Sequence, residues 1–249
     1  MLDQLFDLAT QTNPALKGEP GFGSPLMIRP GQDNHKQIAG VYQDLQALHP
    51  KAGVAYFRAR TWVLLCWQPI YLSLISIYGL KVLPKGLMYL AQKRLPGLVC
   101  GFNLPAMGFI QAEQMNLIEE ACRQIRALID EIQRQFIEVS DARKGVLDRL
   151  FIDVFLETLL TVYSLFESSK LVDIRHEADQ WLLGFGFEQN ASRAISSNCL
   201  EGHAHVKCFY LNRISCCMHY RRDDGDLCVN CPKLIKSKQK SSTLRDGYV

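Results

Sequence analysis

From residue 61 to residue 80 the chain runs for twenty residues without a charged side chain. A run of that length either crosses a membrane or lies in the centre of a protein. Gln68-Pro69 stands at its middle, and two serines, two tryptophans and two tyrosines dilute its hydrophobicity. Proline removes a backbone donor and clashes with the preceding turn, so the run is expected to break or kink into two shorter apolar segments. The expectation is a pair of buried core helices; a membrane span and a surface-lying segment are the alternatives.

The rest of the composition suits that choice. In 249 residues, 48% apolar and 21% charged side chains are the proportions of an ordinary globular protein. They exclude a wholly disordered, collagenous or coiled-coil chain. The length suits one large domain, or one domain with a small appendage. The net charge is only +3. Lys233, Lys236, Lys238, Lys240 and Arg245 against Asp246 make the basic character a property of the C-terminal tail, which reads as flexible. A near-neutral body without a basic, aromatic-interleaved face argues against nucleic acid as a partner.

Periodicity places helices at about residues 1–12, 36–48, 52 onward, 112–139, 144–167, 174–183 and 188–197. The 112–139 segment is the clearest: Ile118, Cys122, Ile125, Ile129, Ile132 and Phe136 form one face, opposite Glu119, Arg123, Arg126, Asp130 and Arg134. Residues 150–166 are apolar almost all round and belong at the centre of a bundle. Four prolines and four glycines in residues 13–34 predict a long irregular segment. Short apolar pieces at 87–90, 98–102 and 107–110, separated by Pro and Gly, predict a small β meander. The fold expected is mainly α: a helical bundle, a β meander at about 87–110 and a C-terminal cysteine loop. The domain reading is a helical body over 1–198, a cysteine module over 199–232 and the tail over 233–249.

Six of the nine cysteines fall in the last fifth of the chain. The opening residues, with Asp3 and Asp7, do not read as a secretory signal, so cysteines are expected to stay reduced and a crowded set to bind metal. Cys216-Cys217, ten residues, then Cys228-Val229-Asn230-Cys231-Pro232 supply four thiolates within 16 residues. Neighbouring side chains diverge and chelate a single ion poorly, whereas a two-iron cluster needs two thiolates at each of two metals. Spacing alone leaves iron–sulfur, zinc and no metal open.

The run Arg213-Ile214-Ser215-Cys216-Cys217-Met218-His219-Tyr220, followed by Cys228-Val229-Asn230-Cys231-Pro232, resembles the C-terminal signature of the FhuF-like ferric siderophore reductases. That signature is C-C-x10-C-x2-C with an arginine before the pair and a tyrosine after it. Arg60-Thr61-Trp62 and Gln68-Pro69 are more loosely similar to the family's N-terminal half. The resemblance implies a [2Fe–2S] cluster held by Cys216, Cys217, Cys228 and Cys231. It also implies one-electron reduction of siderophore-bound ferric iron, with a potential near the plant-type ferredoxin range of about −400 mV. Hydroxamate siderophores are the favoured substrate. Without a G-x-G-x-x-G loop after a strand, electrons are expected from a separate ferredoxin or flavoprotein reductase.

Lys207, Arg213 and Tyr220 are the candidates for tuning the cluster, and Arg58, Arg60, His203 and His205 for facing substrate. Glu201, His203, His205 and Cys208 admit a second metal, for which surface loop is the plainer reading; Cys199 and Cys208 have no assigned role. The working place implied is the cytoplasm, with a peripheral contact to the inner face of the membrane as the tail's alternative role. The competing functions are a zinc-knuckle binding protein and an iron–sulfur sensor without a reductase substrate.

Overall fold

The computed structural model describes residues 1–166, 174–199 and 207–234. His203, His205, Glu201 and the tail from residue 235 lie outside the described residues. Six α-helices make the body: α1 (Leu2–Thr12), α2 (His35–Leu48), α3 (Val54–Leu74), α4 (Gln114–Ser140), α5 (Lys144–Phe166) and α6 (Ile174–Gly184). Seven short strands accompany them: β1 (Gly18–Pro20), β2 (Leu83–Pro84), β3 (Ala91–Leu95), β4 (Leu98–Leu104), β5 (Phe109–Ile110), β6 (Ile195–Cys199) and β7 (Lys207–Leu211). The mainly α architecture expected from the sequence is the one observed.

The charge-free run does not split. Helix α3 runs without interruption through Pro69 and continues as a single π turn, Ile75–Gly79. The proline leaves the Leu65 carbonyl without its helical donor, and buried Gln92 of β3 replaces that donor, its Nε2 lying 2.9 Å from the oxygen. Gln68 Nε2 donates in turn to Gln92 Oε1 at 3.2 Å. A tertiary hydrogen bond therefore does what the helix cannot, and the run forms one continuous helix in place of two separate segments. By length and composition Val54–Gly79 could cross a membrane, yet most of it is buried inside this body. It packs along α5, while Trp62 donates to the Leu147 carbonyl at 2.8 Å and Trp67 to that of Val99 at 2.8 Å. One helix is thus tied to both the bundle and the sheet.

The β region departs from a simple meander. Residues 87–90, expected as a strand, form a 3-10 turn at Leu87–Tyr89, and the strand begins at Ala91. Strands β3 and β4 pair antiparallel, and β1 joins the far edge of β4 in parallel. That strand comes from the segment expected to be irregular throughout. Strand β5 pairs with β2 instead of β4.

The helix expected over 188–197 is a 3-10 turn, Gln189–Ala194, leading into β6. Strand β7 pairs antiparallel with β6 from Ile195↔Leu211 to Cys199↔Lys207, across the expected domain boundary at 198/199. Ile195 and Leu211 are buried against the bundle, so β7 is delivered to the side of α5.

Two predictions follow from these contacts. Gln92→Leu leaves the Leu65 carbonyl buried without a donor and is expected to cost about 1–3 kcal/mol in urea unfolding. His35 bridges the start of α2 to the end of α4, with ring nitrogens 2.6 Å from Asp33 and 2.6 Å from Glu138. Those carboxylates raise its pKa above 6.5, so its stabilisation is full below that value and is lost as pH rises through the raised one. Its partners, both lowered, lose theirs at acid pH. The stability difference between wild type and His35→Gln should therefore peak between about pH 5 and 6.5 in unfolding measured across pH.

Candidate metal centre

The chain leaves β7 at Leu211 and crosses α5 at once. Asp153 of α5, fully buried, accepts hydrogen bonds from the backbone N–H groups of Ile214 and Ser215, each at 2.8 Å, and from the Ser215 hydroxyl. Arg213 adds an ion pair at 3.7 Å to Asp153 and another at 3.6 Å to Glu157, one helical turn further on. Burial pushes the Asp153 carboxyl up, and the bonds from 214–215 and the Arg213 charge oppose that shift. The cysteine pair begins with the next residue.

Cys216 and Cys217 point to different partners. Cys217 Sγ lies 3.4 Å from Cys228 Sγ, and Cys216 has Cys231 as a close neighbour. Cys231 is buried, whereas Cys216, Cys217 and Cys228 are half-buried. The Met218 N–H reaches the Cys216 sulfur, and the Cys231 N–H closes a turn on the Cys228 carbonyl at 2.9 Å. Burial, followed by the neighbouring Cys217 sulfur, pushes the Cys228 thiol up to about 11, and burial also raises Cys216. Four thiols so placed must yield protons to whatever metal they bind.

The loop between the pairs is pinned at several points. Met218 takes a left-handed conformation, φ 58°, into the 3-10 turn His219–Arg221. Tyr220 lies under Lys233, with Nζ 4.1 Å from the ring centroid and donating to the phenol oxygen, which ties the two cysteine pairs together from outside. Lys51 pairs with Asp223 at 3.7 Å. Gly53, at φ 80°, starts α3 so close to the loop that a Cβ there would stand 3.2 Å from Arg221 Nη1. Gly225 is required by space alone: a Cβ would fall 2.1 Å from the His219 carbonyl oxygen.

The other expected site residues separate. Arg60 of α3 lies near Cys217, His219 and Arg222, and among the described residues no carboxylate pairs with it. Arg58 turns away, its Nε donating to the Ser140 carbonyl at 2.7 Å at the end of α4. Arg222 is paired with Asp224 within the turn, as its sequence neighbours suggest. Lys207 sits in β7, opposite Cys199 of β6. Asp153 and Glu157 were not anticipated. Their signal was a carboxylate pair at i, i+4 inside an otherwise apolar helix.

No three His, Cys, Asp or Glu side chains among the described residues group around one point, as a single ion would need. Four neighbouring thiols, Cys217 beside Cys228 and Cys216 beside Cys231, suit a binuclear centre, in which each metal takes two thiolates. Arg213, whose Nε lies 3.7 Å from Asp153 and has no hydrogen-bond acceptor among the described residues, fits the same reading, because its guanidinium lies near Cys228 and favours that thiolate. This donor set defines a thiolate-held two-metal class of site. Residues 213–233 match the family model for the FhuF 2Fe-2S C-terminal domain, which spans Arg213, all four cysteines and Lys233, and the cofactor of that domain is a [2Fe–2S] cluster. No solved structure matches the chain.

Gly225→Ala is expected to force the 219–225 turn open. Amide hydrogen exchange should rise in that segment while the global unfolding midpoint stays near wild type.

Proposed function

We propose that this protein is a ferric siderophore reductase, in which Cys216, Cys217, Cys228 and Cys231 hold a [2Fe–2S] cluster that passes one electron to chelated Fe(III). The observation that carries this reading is the pairing of the four sulfurs, Cys217 with Cys228 and Cys216 with Cys231, in a loop at the protein surface. When bound, the cluster supplies single electrons at low potential.

The substrate chemistry asks little else of the protein. Ferric iron is a hard ion in a cage of hard oxygens, and the ferrous ion is larger and softer, so reduction itself weakens the chelate. No general acid, base or nucleophile is required. The chain's part is access and charge. Val229, between Cys228 and Cys231, is fully exposed, and Ile214 and Leu227 are each 41% exposed, so a bulky chelate can approach this edge of the loop. Arg60, with no carboxylate partner among the described residues, contributes a guanidinium on the α3 side. The reading puts the reaction in the cytoplasm, where thiols stay reduced, with a separate ferredoxin or flavoprotein as donor.

An anaerobic visible spectrum tests it. Sulfur-to-iron absorption should bleach with dithionite and return on adding a ferric hydroxamate siderophore, as ferrous iron is trapped by a chelator. Cys217→Ser and Cys228→Ser should each abolish the absorption. A colourless protein carrying one zinc per chain would overturn the cofactor and the function together. A cluster that bleaches and is not reoxidised by the siderophore would leave an iron–sulfur protein with another role.

A further inference from the structure

We propose that Asp153, a residue of the helical body, is the positioning residue of the metal centre: it aims the two thiol pairs and its charge holds the cluster's potential down. The inference rests on the reading that the four cysteines hold a [2Fe–2S] cluster. Asp153 lies 61 residues before Ile214 in sequence, outside the segment that matches the family model.

The aiming follows from backbone geometry. Side chains of successive residues in an open chain point to opposite sides, so which thiol meets which partner depends on how the chain enters the pair. One buried carboxylate accepts both consecutive N–H groups of Ile214 and Ser215 and the Ser215 hydroxyl, which fixes the chain's direction one residue before Cys216. With that direction fixed, Cys216 turns to Cys231 and Cys217 to Cys228. Helix α5 is held by the aromatic cluster of Phe151, Phe155, Trp181 and Phe185, with ring centroids 5.2–5.8 Å apart, so the carboxylate is a rigid anchor.

The charge follows from the count of partners. Arg213 is one guanidinium between two carboxylates, Asp153 and Glu157, so these three side chains together carry one negative charge. Reduction adds negative charge to a cluster that is already anionic, and a buried negative neighbour opposes it more than an exposed, solvated one does. Arg213, one of the candidates for tuning the cluster, is thus offset by its own anchors.

Four proteins separate the two effects: wild type, Asp153→Asn, Ser215→Ala and Glu157→Gln. Iron and acid-labile sulfide in wild type are measured first. A wild type that does not load two irons removes the reading of the site itself, before the variants are compared. Loaded proteins are then challenged with an iron chelator, and their midpoint potentials are read by electron paramagnetic resonance during redox titration. Asp153→Asn should release iron about 10- to 100-fold faster and show a more positive midpoint. Ser215→Ala, which keeps the charge and loses one bond, should release iron faster with its midpoint near wild type. Glu157→Gln, which leaves the backbone clamp intact, should shift the midpoint positively with wild-type release. Asp153→Asn with wild-type release and midpoint would overturn the proposal. If that variant does not accumulate as folded protein, Ser215→Ala and Glu157→Gln decide it: wild-type release in the first, together with an unshifted midpoint in the second, overturns it.

Discussion

A carboxylate removed from water inside an apolar helix must have its oxygens occupied, and at Asp153 the occupants all come from one stretch of chain, residues 213–215. An ionised group buried without such partners would be costly enough to unfold a helix or to stay protonated. The cysteine loop in turn has no core of its own. Its only described regular structure is the 3-10 turn His219–Arg221 and the turn leading to Leu234. Body and loop therefore solve one another's problem, and the direction in which Cys216 and Cys217 leave the bundle is a consequence of where a single helix places one side chain.

Helix α3 holds the opposite side of the loop and depends on an equally specific contact. Pro69 takes a donor out of a helix that the fold needs to be continuous, and Gln92, 27 residues beyond Leu65, restores the missing bond from the sheet. Because the helix stays continuous, its cap Gly53 and its first two turns, with Tyr56 and Arg60, lie against the 219–224 turn, while Trp67 seven residues beyond Arg60 reaches β4. A break at Pro69 would have uncoupled the sheet from the loop. The charge-free run is long because it is buried for most of its length, by α5 on one side and by the sheet on the other.

Those two contacts also mark how far the sequence alone is readable. The cysteine pairs and the amphipathic face of α4 are local patterns, with ligand spacing and a 3.6-residue repeat, and both are present where the sequence puts them. Apart from the local 3-10 turn at Leu87–Tyr89, the errors involve distant partners. Pro69 reads as a break because its substitute donor belongs to a strand. The 195–199 strand reads as helix because its pairing partner starts at Lys207. Strand β1 hides among prolines and glycines because only β4, more than eighty residues later, gives it a ladder. Asp153 and Glu157 look like blemishes in an apolar helix until the loop that uses them is in place. Arg58 and Arg60 look equivalent, yet positions two apart on a helix face different ways, and only Arg60 meets the cysteines.

Charge around the centre cannot be counted along the chain for the same reason. Lys207, Arg213, Arg221 and Arg222 precede or follow the first cysteine pair closely, and their sum suggests a strongly positive setting. In space Arg213 is shared by two carboxylates and Arg222 is closed onto Asp224. Arg60, remote in sequence, is the guanidinium near Cys217 without a carboxylate among the described residues. Exposed pairs such as Lys51–Asp223 are screened by water and salt, while a charge held out of solvent keeps its reach. The charges that reach the sulfurs directly are Arg213 beside Cys228 and Arg60 beside Cys217, and each is placed by contacts of the helical body. A loop with the same cysteines on a different body would keep its ligands and lose that placement of charge.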